Sequence, residues 1–225
     1  MGVTGIKFKE PIEDYLVTIY KLESLYGEAR TSQIARELGV RDGTVSKVIK
    51  HLQEHGYVRV YKYRGVRLTE KGREVAARIL RNHRILEVFL HDFLGFDYYR
   101  AHELAHKMEH LPQEVIDRIY EKLGKPDICV YGPPRDGGGR VVTLDAARPG
   151  ACYRIVCIIE ELNKTLSKLR ESGCIMSCRV MIESKGSKGL VVRVEGGGKL
   201  ILSMDEAKTI GAEEVSCDGF KLKAN

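Results

Sequence analysis

Three histidines and a glutamate recur at His102, His106, Glu109 and His110. Successive helical residues turn by about 100°, so all four fall within an arc of roughly 100°. Leu104, Met108 and Leu111 occupy the opposite face, so the stripe is not one side of an all-polar helix. Upstream, His83 and Glu87 are spaced i, i+4, and a second helix laid alongside would add them to the same pocket. Imidazole nitrogens and carboxylate oxygens gathered in this way suit a divalent transition metal. Five of the seven histidines lie within 28 residues, which favours a metal site over a solvated polar face. No nucleophile or phosphate loop accompanies them, so the chemistry expected is binding rather than catalysis, and no small-molecule substrate is expected.

The elements that must carry these residues follow from punctuation and period. Glu10 to Leu25 is apolar at Ile12, Tyr15, Leu16, Ile19, Tyr20 and Leu22, with Pro11 at its start and Gly27 beyond its end, a first helix. Thr31 is expected to cap a second helix through Leu38, stopped by Gly39, and a third runs from Asp42 or Thr44 to His55, stopped by Gly56. Tyr57 to Tyr61 and Val66 to Thr69 alternate as two short strands around Arg64-Gly65. Together these spell a winged helix-turn-helix. Thr69 is expected to cap a long helix through Leu94, followed by helices over Asp97 to Leu111 and Pro112 to Leu123. Residues 126–141 read as a Pro/Gly linker containing Pro133-Pro134 and Gly137-Gly138-Gly139. Beyond it, Tyr153 to Ile159, Arg179 to Glu183, Leu190 to Val194 and Lys199 to Leu202 read as strands of a small β-barrel or sandwich, with one helix between Leu162 and Ser172.

The fold class expected is therefore mainly α with a β C-terminal domain. The DNA-binding domain spans 1–72, a helical metal-binding and dimerisation domain 73–125, the linker 126–141, the β domain 142–213 and a tail 214–225. The apolar excess of the long helix, at Val75, Ile79, Leu80, Leu86, Phe89, Leu90 and Phe93, points to burial against a second subunit.

Charge supplies a partner. Of a formal net charge of +6, the whole excess lies between Arg30 and Arg67, where nine lysines and arginines face three acids. A basic stripe on one small domain is the footprint of nucleic-acid binding. The second helix of a helix-turn-helix enters the major groove, so Arg41, Thr44, Ser46, Lys47 and Lys50 are expected to meet DNA there, with Thr31 beside them and Lys62 and Arg64 from the wing on phosphates. Val45, Val48, Ile49 and Leu52 are left for the core. No apolar stretch reaches 18 residues and no secretory signal is legible, so a cytoplasmic protein with no membrane partner is expected. The six cysteines, at 129, 152, 157, 174, 178 and 217, include no C-x-x-C pair and are expected to be reduced, with Cys174 and Cys178 the alternative as a redox-active or bridged pair.

The run Glu13-Asp14-Tyr15-Leu16, then Thr44-Val45-Ser46, Tyr63-Arg64-Gly65, Leu68-Thr69-Glu70-Lys71-Gly72, His83-Arg84 and Glu109-His110 resembles the diphtheria toxin repressor (DtxR/MntR) family of metal-dependent transcriptional regulators. Residues 143–212 are similar to the SH3-like FeoA domain that many members append. The resemblance implies a homodimer that binds a palindromic double-stranded DNA operator of metal-uptake genes when Fe(II) or Mn(II) is abundant, with Co(II), Ni(II) or Zn(II) as substitutes in vitro. It implies that His83, Glu87 and His102 form an ancillary metal site, and Asp14, His106, Glu109 and His110 the regulatory one. Iron-responsive members carry Cys where this chain has His106 and Met where it has Asp14; manganese-responsive members carry Glu and Asp, with a second acid where this chain has Val17. Some members also lend the ancillary site carboxylate and amide ligands from the C-terminal domain, for which Glu160 or Glu161 would be the counterpart. The competing reading is a metal-independent winged-helix or architectural DNA-binding protein.

Overall fold

The structure, a computed structural model, describes residues 12–126, 141–174 and 176–221. The expected start of the first helix at Glu10-Pro11, nearly all of the expected linker, and Cys129 lie outside the described residues. The chain divides into two compact units, residues 1–80 and 81–225.

The first unit opens with α1 (Ile12–Tyr26), α2 (Thr31–Leu38) and α3 (Asp42–Glu54). The apolar positions read from the sequence are buried at Tyr15, Leu16, Ile19 and Leu22 of α1 and at Val45, Val48, Ile49 and Leu52 of α3, and α2 adds Ile34 and Ala35. Removing such a side chain from water stabilises the fold by about 1.5–3 kcal/mol. Thr31 is the first residue of α2 rather than its cap: Arg30 occupies the cap position, and its N–H donates to Oε1 of Gln33 at 2.9 Å. Gly39, at φ 63°, closes α2 in the left-handed conformation that suits glycine. Strands β1 (Val58–Tyr61) and β2 (Gly65–Leu68) pair antiparallel, with Val58 opposite Leu68 and Arg59 opposite Arg67. Ala29 and Val66 exchange backbone hydrogen bonds of 2.9 and 2.8 Å, tying the hairpin to the entry of α2. Glu23 fastens it from α1, accepting from Leu68 N at 3.0 Å and from Arg73 at 2.6 Å.

Helix α4 (Glu70–Val88) begins in this unit, and the division falls within it, after Leu80. Thr69 caps it as expected, its hydroxyl accepting from Gly72 N at 3.2 Å. The helix does not continue regularly to Leu94: Phe89–Phe93 widens into a π turn, with Leu94 N bonded to Phe89 O at 3.1 Å, and Phe93 is 67% exposed.

In the second unit α5 (Tyr98–Met108) and α6 (Gln113–Lys122) follow. Asp97 caps α5 by accepting from Arg100 N at 3.1 Å. The metal-stripe helix is shorter than its expected span, because Glu109 is its C-cap and His110 and Leu111 lie beyond it. Ile85, Leu86, Leu90, Ala101, Ala105 and Ile116 form the core here, with Leu104 and Met108 packed against it. The β part contains β3 (Val141–Thr143), β4 (Cys152–Ile158), α7 (Asn163–Glu171), β5 (Arg179–Gly186), β6 (Gly189–Val194), β7 (Lys199–Leu202), α8 (Met204–Lys208) and β8 (Ile210–Val215). It is one six-stranded antiparallel sheet, ordered β3-β8-β4-β5-β6-β7. Four strands match the sequence reading; β3 and β8 were missed, β3 because it is only three residues long and both because their hydrogen bonds come from strands distant in the chain.

The expectation of reduced cysteines is corrected for four of the five described, Cys157 forming no disulfide and Cys174 with Cys178 following the alternative given for them. Cys152 and Cys217 form a disulfide, as do Cys174 and Cys178. The physical reason for the first is register: Cys152 stands opposite Val215, so a residue two further on returns to it, with a Cα–Cα separation of 5.3 Å that suits a disulfide.

Candidate metal centre and nucleic-acid interface

Helix α4 presents His83 and Glu87, α5 presents His102, and the segment leaving β4 presents Glu161. His83 Nε2 lies 3.1 Å from His102 Nδ1. Glu87 Oε1 is 3.1 Å from the first and 2.9 Å from the second. Glu161 Oε2 completes the group at 3.6 Å from His83 and 3.7 Å from His102. Ligands placed about 2.0–2.2 Å from a shared ion stand roughly 3 Å or a little more from one another. The four donor atoms all lie within 4.8 Å of one another, close to that spacing, and His83, Glu87 and Glu161 are buried. Two imidazoles and two carboxylates, withdrawn from water, therefore fit a borderline divalent cation.

One guanidinium sets both carboxylates. Arg84 Nη1 donates to Glu87 Oε2 at 2.6 Å and to Glu161 Oε1, while its Nη2 donates to Ile158 O at 3.2 Å. Each glutamate thus gives one oxygen to Arg84 and turns the other towards the histidines. Burial alone would raise Glu87, but Arg84 and His83 hold its carboxyl well below the usual range. Burial likewise opposes the charge of Glu161, and Arg84 is the main influence lowering it. For His83, burial acts to lower the pKa, yet Glu87, Glu109 and Glu161 outweigh it and hold the imidazole up to about 10.

The second group is built around Glu109. Its Oε1 lies 2.9 Å from His106 Nδ1 and 3.7 Å from His110 Nε2. Its Oε2 accepts from the other face of the His83 ring, Nδ1, at 2.5 Å. Burial would raise this carboxyl, but His106 and His83 bring it down to about 2. Glu109 thereby orients a ring of the first group while contributing to the second, the carboxylate–histidine arrangement that fixes imidazole ligands in metal sites. Asp14 is half-buried on α1 of the first unit.

The family resemblance named His83, Glu87 and His102 on one hand and His106, Glu109 and His110 on the other; the structure brings the first trio together, while in the second His106 and His110 each meet Glu109 and His106 also groups with His83. The arc drawn through His102 to His110 does not hold as one site: His102 turns to His83, whereas Glu109 and His110 follow the helix end. Between Glu160 and Glu161, it is Glu161 that joins the cluster. Arg84 was missed as a positioning group; its only sequence signal is a cation set directly after His83 and three residues before Glu87.

In the first unit, α3 and the wing border an open groove of about 610 Å³. Thr31, Ser46, Lys50, Lys62 and Arg64 line it, together with Arg30, Gln53 and Tyr63, which the sequence reading passed over. Arg41 caps α3, and Thr44 and Lys47 lie on its first two turns; Arg41, Ser46, Lys47, Lys50, Lys62 and Arg64 are exposed.

A basic winged helix followed in the chain by a buried imidazole–carboxylate cluster is the layout of a metal-gated DNA-binding protein. Comparison with known proteins gives the same class. A family model described as iron dependent repressor, N-terminal DNA binding domain, matches residues 7–66. The corresponding metal binding and dimerisation domain matches 69–137, and the FeoA domain matches 142–214. The iron-dependent repressor IdeR of Mycobacterium tuberculosis is 26% identical over 227 residues, covering 90% of this chain and 96% of IdeR. The HTH-type transcriptional regulator MntR of Lysinibacillus sphaericus is 38% identical over 109 residues, covering 48% of this chain and 78% of MntR. The crystal structure of T. acidophilum IdeR superposes with a TM-score of 0.68 at 29% identity, covering 93% of this chain and 100% of that one. The chain belongs to the diphtheria toxin repressor family of metal-dependent transcriptional regulators.

Proposed function

We infer that this protein represses metal-uptake genes by binding a palindromic operator as a homodimer when Fe(II) or Mn(II) is plentiful. The observation that carries the reading is the closed set His83, Glu87, His102 and Glu161, whose donor atoms are spaced for an ion in a chain that also carries a basic winged helix. We assign His83, Glu87, His102 and Glu161 to the ancillary site. His106, Glu109 and His110 form the regulatory one, and Asp14 joins them on the strength of the family resemblance. When bound, the cation supplies a cross-link among side chains that hydrogen bonds otherwise hold. Arg84 orients two of the carboxylates, Glu109 orients the His83 ring, and α3 reads the major groove with Thr44, Ser46, Lys47 and Lys50.

Both roles are those of a binding protein, and we read the chain as a regulator and not an enzyme. Among the described residues no helix is long and apolar enough to cross a membrane, which agrees with a cytoplasmic place of action. The test is fluorescence anisotropy of a labelled duplex, selected from a randomised pool by the Mn(II)-loaded protein, titrated with and without chelator under anaerobic conditions. Affinity should fall at least fivefold on chelation, the lower end of ordinary coupling between two sites. An affinity indifferent to chelator would instead make this a metal-independent DNA-binding protein.

A further inference from the structure

Tyr63 stands at the tip of the wing and is 93% exposed, the most exposed of the large apolar side chains described. Its backbone lies at φ 64°, a left-handed conformation that glycine and asparagine adopt readily and tyrosine does not. Stability therefore does not account for a tyrosine at this position. Its surroundings are cationic: Lys62 Nζ sits 5.1 Å from the ring centre, and Arg64 follows in the chain. Behind the tip, Arg59 and Arg67 occupy directly opposed positions on the hairpin; Glu28, 3.6 Å from Arg67, offsets one charge, and the pairing becomes more favourable beside a further anion.

The groove behind the tip says which anion. Its one wall is α3, through Ser46, Lys50 and Gln53, and its other wall is the wing. With α3 in the major groove, the surface next to it is a sugar–phosphate backbone, and a strand gripped between α3 and the wing leaves the tip on that strand's far side. On the far side of the strand lies the minor groove. We propose that Tyr63 is a DNA-contacting residue that the wing inserts into the minor groove, its ring against a deoxyribose, while Lys62 and Arg64 hold the phosphates to either side. The contact is sensitive to groove width, so it favours narrow, A·T-rich flanks over wide ones at positions that no side chain reads directly.

This rests on the DNA-reading role given above, and the experiment separates the two. The Mn(II)-loaded full chain is compared with Tyr63→Asn and Tyr63→Phe on the selected 30-base-pair duplex by anisotropy, hydroxyl-radical footprinting and thermal melting. Asparagine tolerates the backbone conformation, so Tyr63→Asn should melt at or above the wild-type temperature. It should nonetheless bind about tenfold more weakly, the size expected when the burial of one large apolar side chain is lost. Its footprint should lose protection of the sugars flanking each half-site, and its salt dependence should keep the wild-type slope because no charge has changed. Tyr63→Phe should bind like wild type. Unchanged affinity and footprint in Tyr63→Asn would overturn the proposal, and so would a loss of affinity matched by a fall in melting temperature, which would make the residue structural. A wild-type protein that selects no duplex at all fails the regulator reading itself, a result distinct from any difference among the variants.

Discussion

His83 is the residue on which both metal groups turn. Its Nε2 faces Glu87, His102 and Glu161, and its Nδ1 donates to Glu109. Because the three carboxylates hold its pKa up to about 10, the ring is doubly protonated at neutral pH in the metal-free protein. Ligation through Nε2 requires that one proton leave, whereas Glu87 and Glu161 are already ionised. Below pH 10 the apparent affinity of this cluster should therefore fall as pH falls. At pH 7 calorimetry of Mn(II) binding in buffers of different ionisation enthalpy should show close to one proton released from it, and no buffer dependence would contradict this. The metal-free protein follows the same shifts with the opposite emphasis. Raised from 6.5 to about 10, His83 contributes stability that is complete below 6.5 and lost as pH rises through 10. Glu109, lowered from 4.5 to about 2, contributes stability that is complete above 4.5 and lost as pH falls through 2. Thermal melting of the chelated protein should accordingly fall between pH 6.5 and 10, and Mn(II) should restore it. Arg84→Met, which removes the group that aims Glu87 and Glu161, should weaken metal binding about 10- to 100-fold by isothermal titration. An unchanged affinity would show that the glutamates find their positions without it.

At the scale of elements, two segments divide the work on DNA, and the division can be measured. Lys47 is exposed on the second turn of α3, where a side chain reaches base edges, so Lys47→Ala should relax sequence preference among duplexes. Lys62 belongs to the wing, and Lys62→Ala should weaken binding to every sequence alike while reducing the slope of affinity against salt by about one. A sequence-selective loss in Lys62→Ala would reverse the assignment. The helices themselves were legible because their signals are local: apolar residues at helical spacing on α1 and α3, Gly39 and Gly56 at the stops, Thr69 before α4. The π turn at Phe89–Phe93 was not: its extra residue rotates the following positions by about 100°, but it closes the helical run, so too few residues follow to reveal the shift. Strands β3 and β8 escaped for a different reason. Val141–Thr143 is too short to show alternation, and its pairing with Gly211 to Glu213 spans some seventy residues.

For the molecule as a whole, a disulfide and a coupling are open to test. Cys152–Cys217 closes a separation of 65 residues, and a crosslink of that length stabilises by about 4 kcal/mol through the unfolded chain. Cys217→Ser should lower the melting temperature by several degrees with the metal affinity retained; an unchanged midpoint would mean the bridge adds nothing. If metal tightens operator binding, operator must tighten metal binding by the same factor. Titrating Mn(II) into the protein with and without duplex should return that factor, and unequal factors would indicate a third linked event such as dimer assembly.

What residue order alone determined was everything carried by short spacing: a winged helix-turn-helix, the basic stripe from Arg30 to Arg67, and a run of histidine and carboxylate donors, whose division into two sites only the family resemblance implied. A helix period or a charge count is visible within a dozen residues, so no tertiary contact is needed to find it. What only the tertiary structure decided was convergence over long separations. Glu161 comes 78 residues after His83 and reaches it because the segment leaving β4 meets α4 and α5, and Arg84 then binds both Glu87 and Glu161. The split of the histidine stripe into two groups was likewise tertiary: His102 turns to His83 and Glu87 of α4, whereas Glu109, the C-cap of α5, meets His106 and His110.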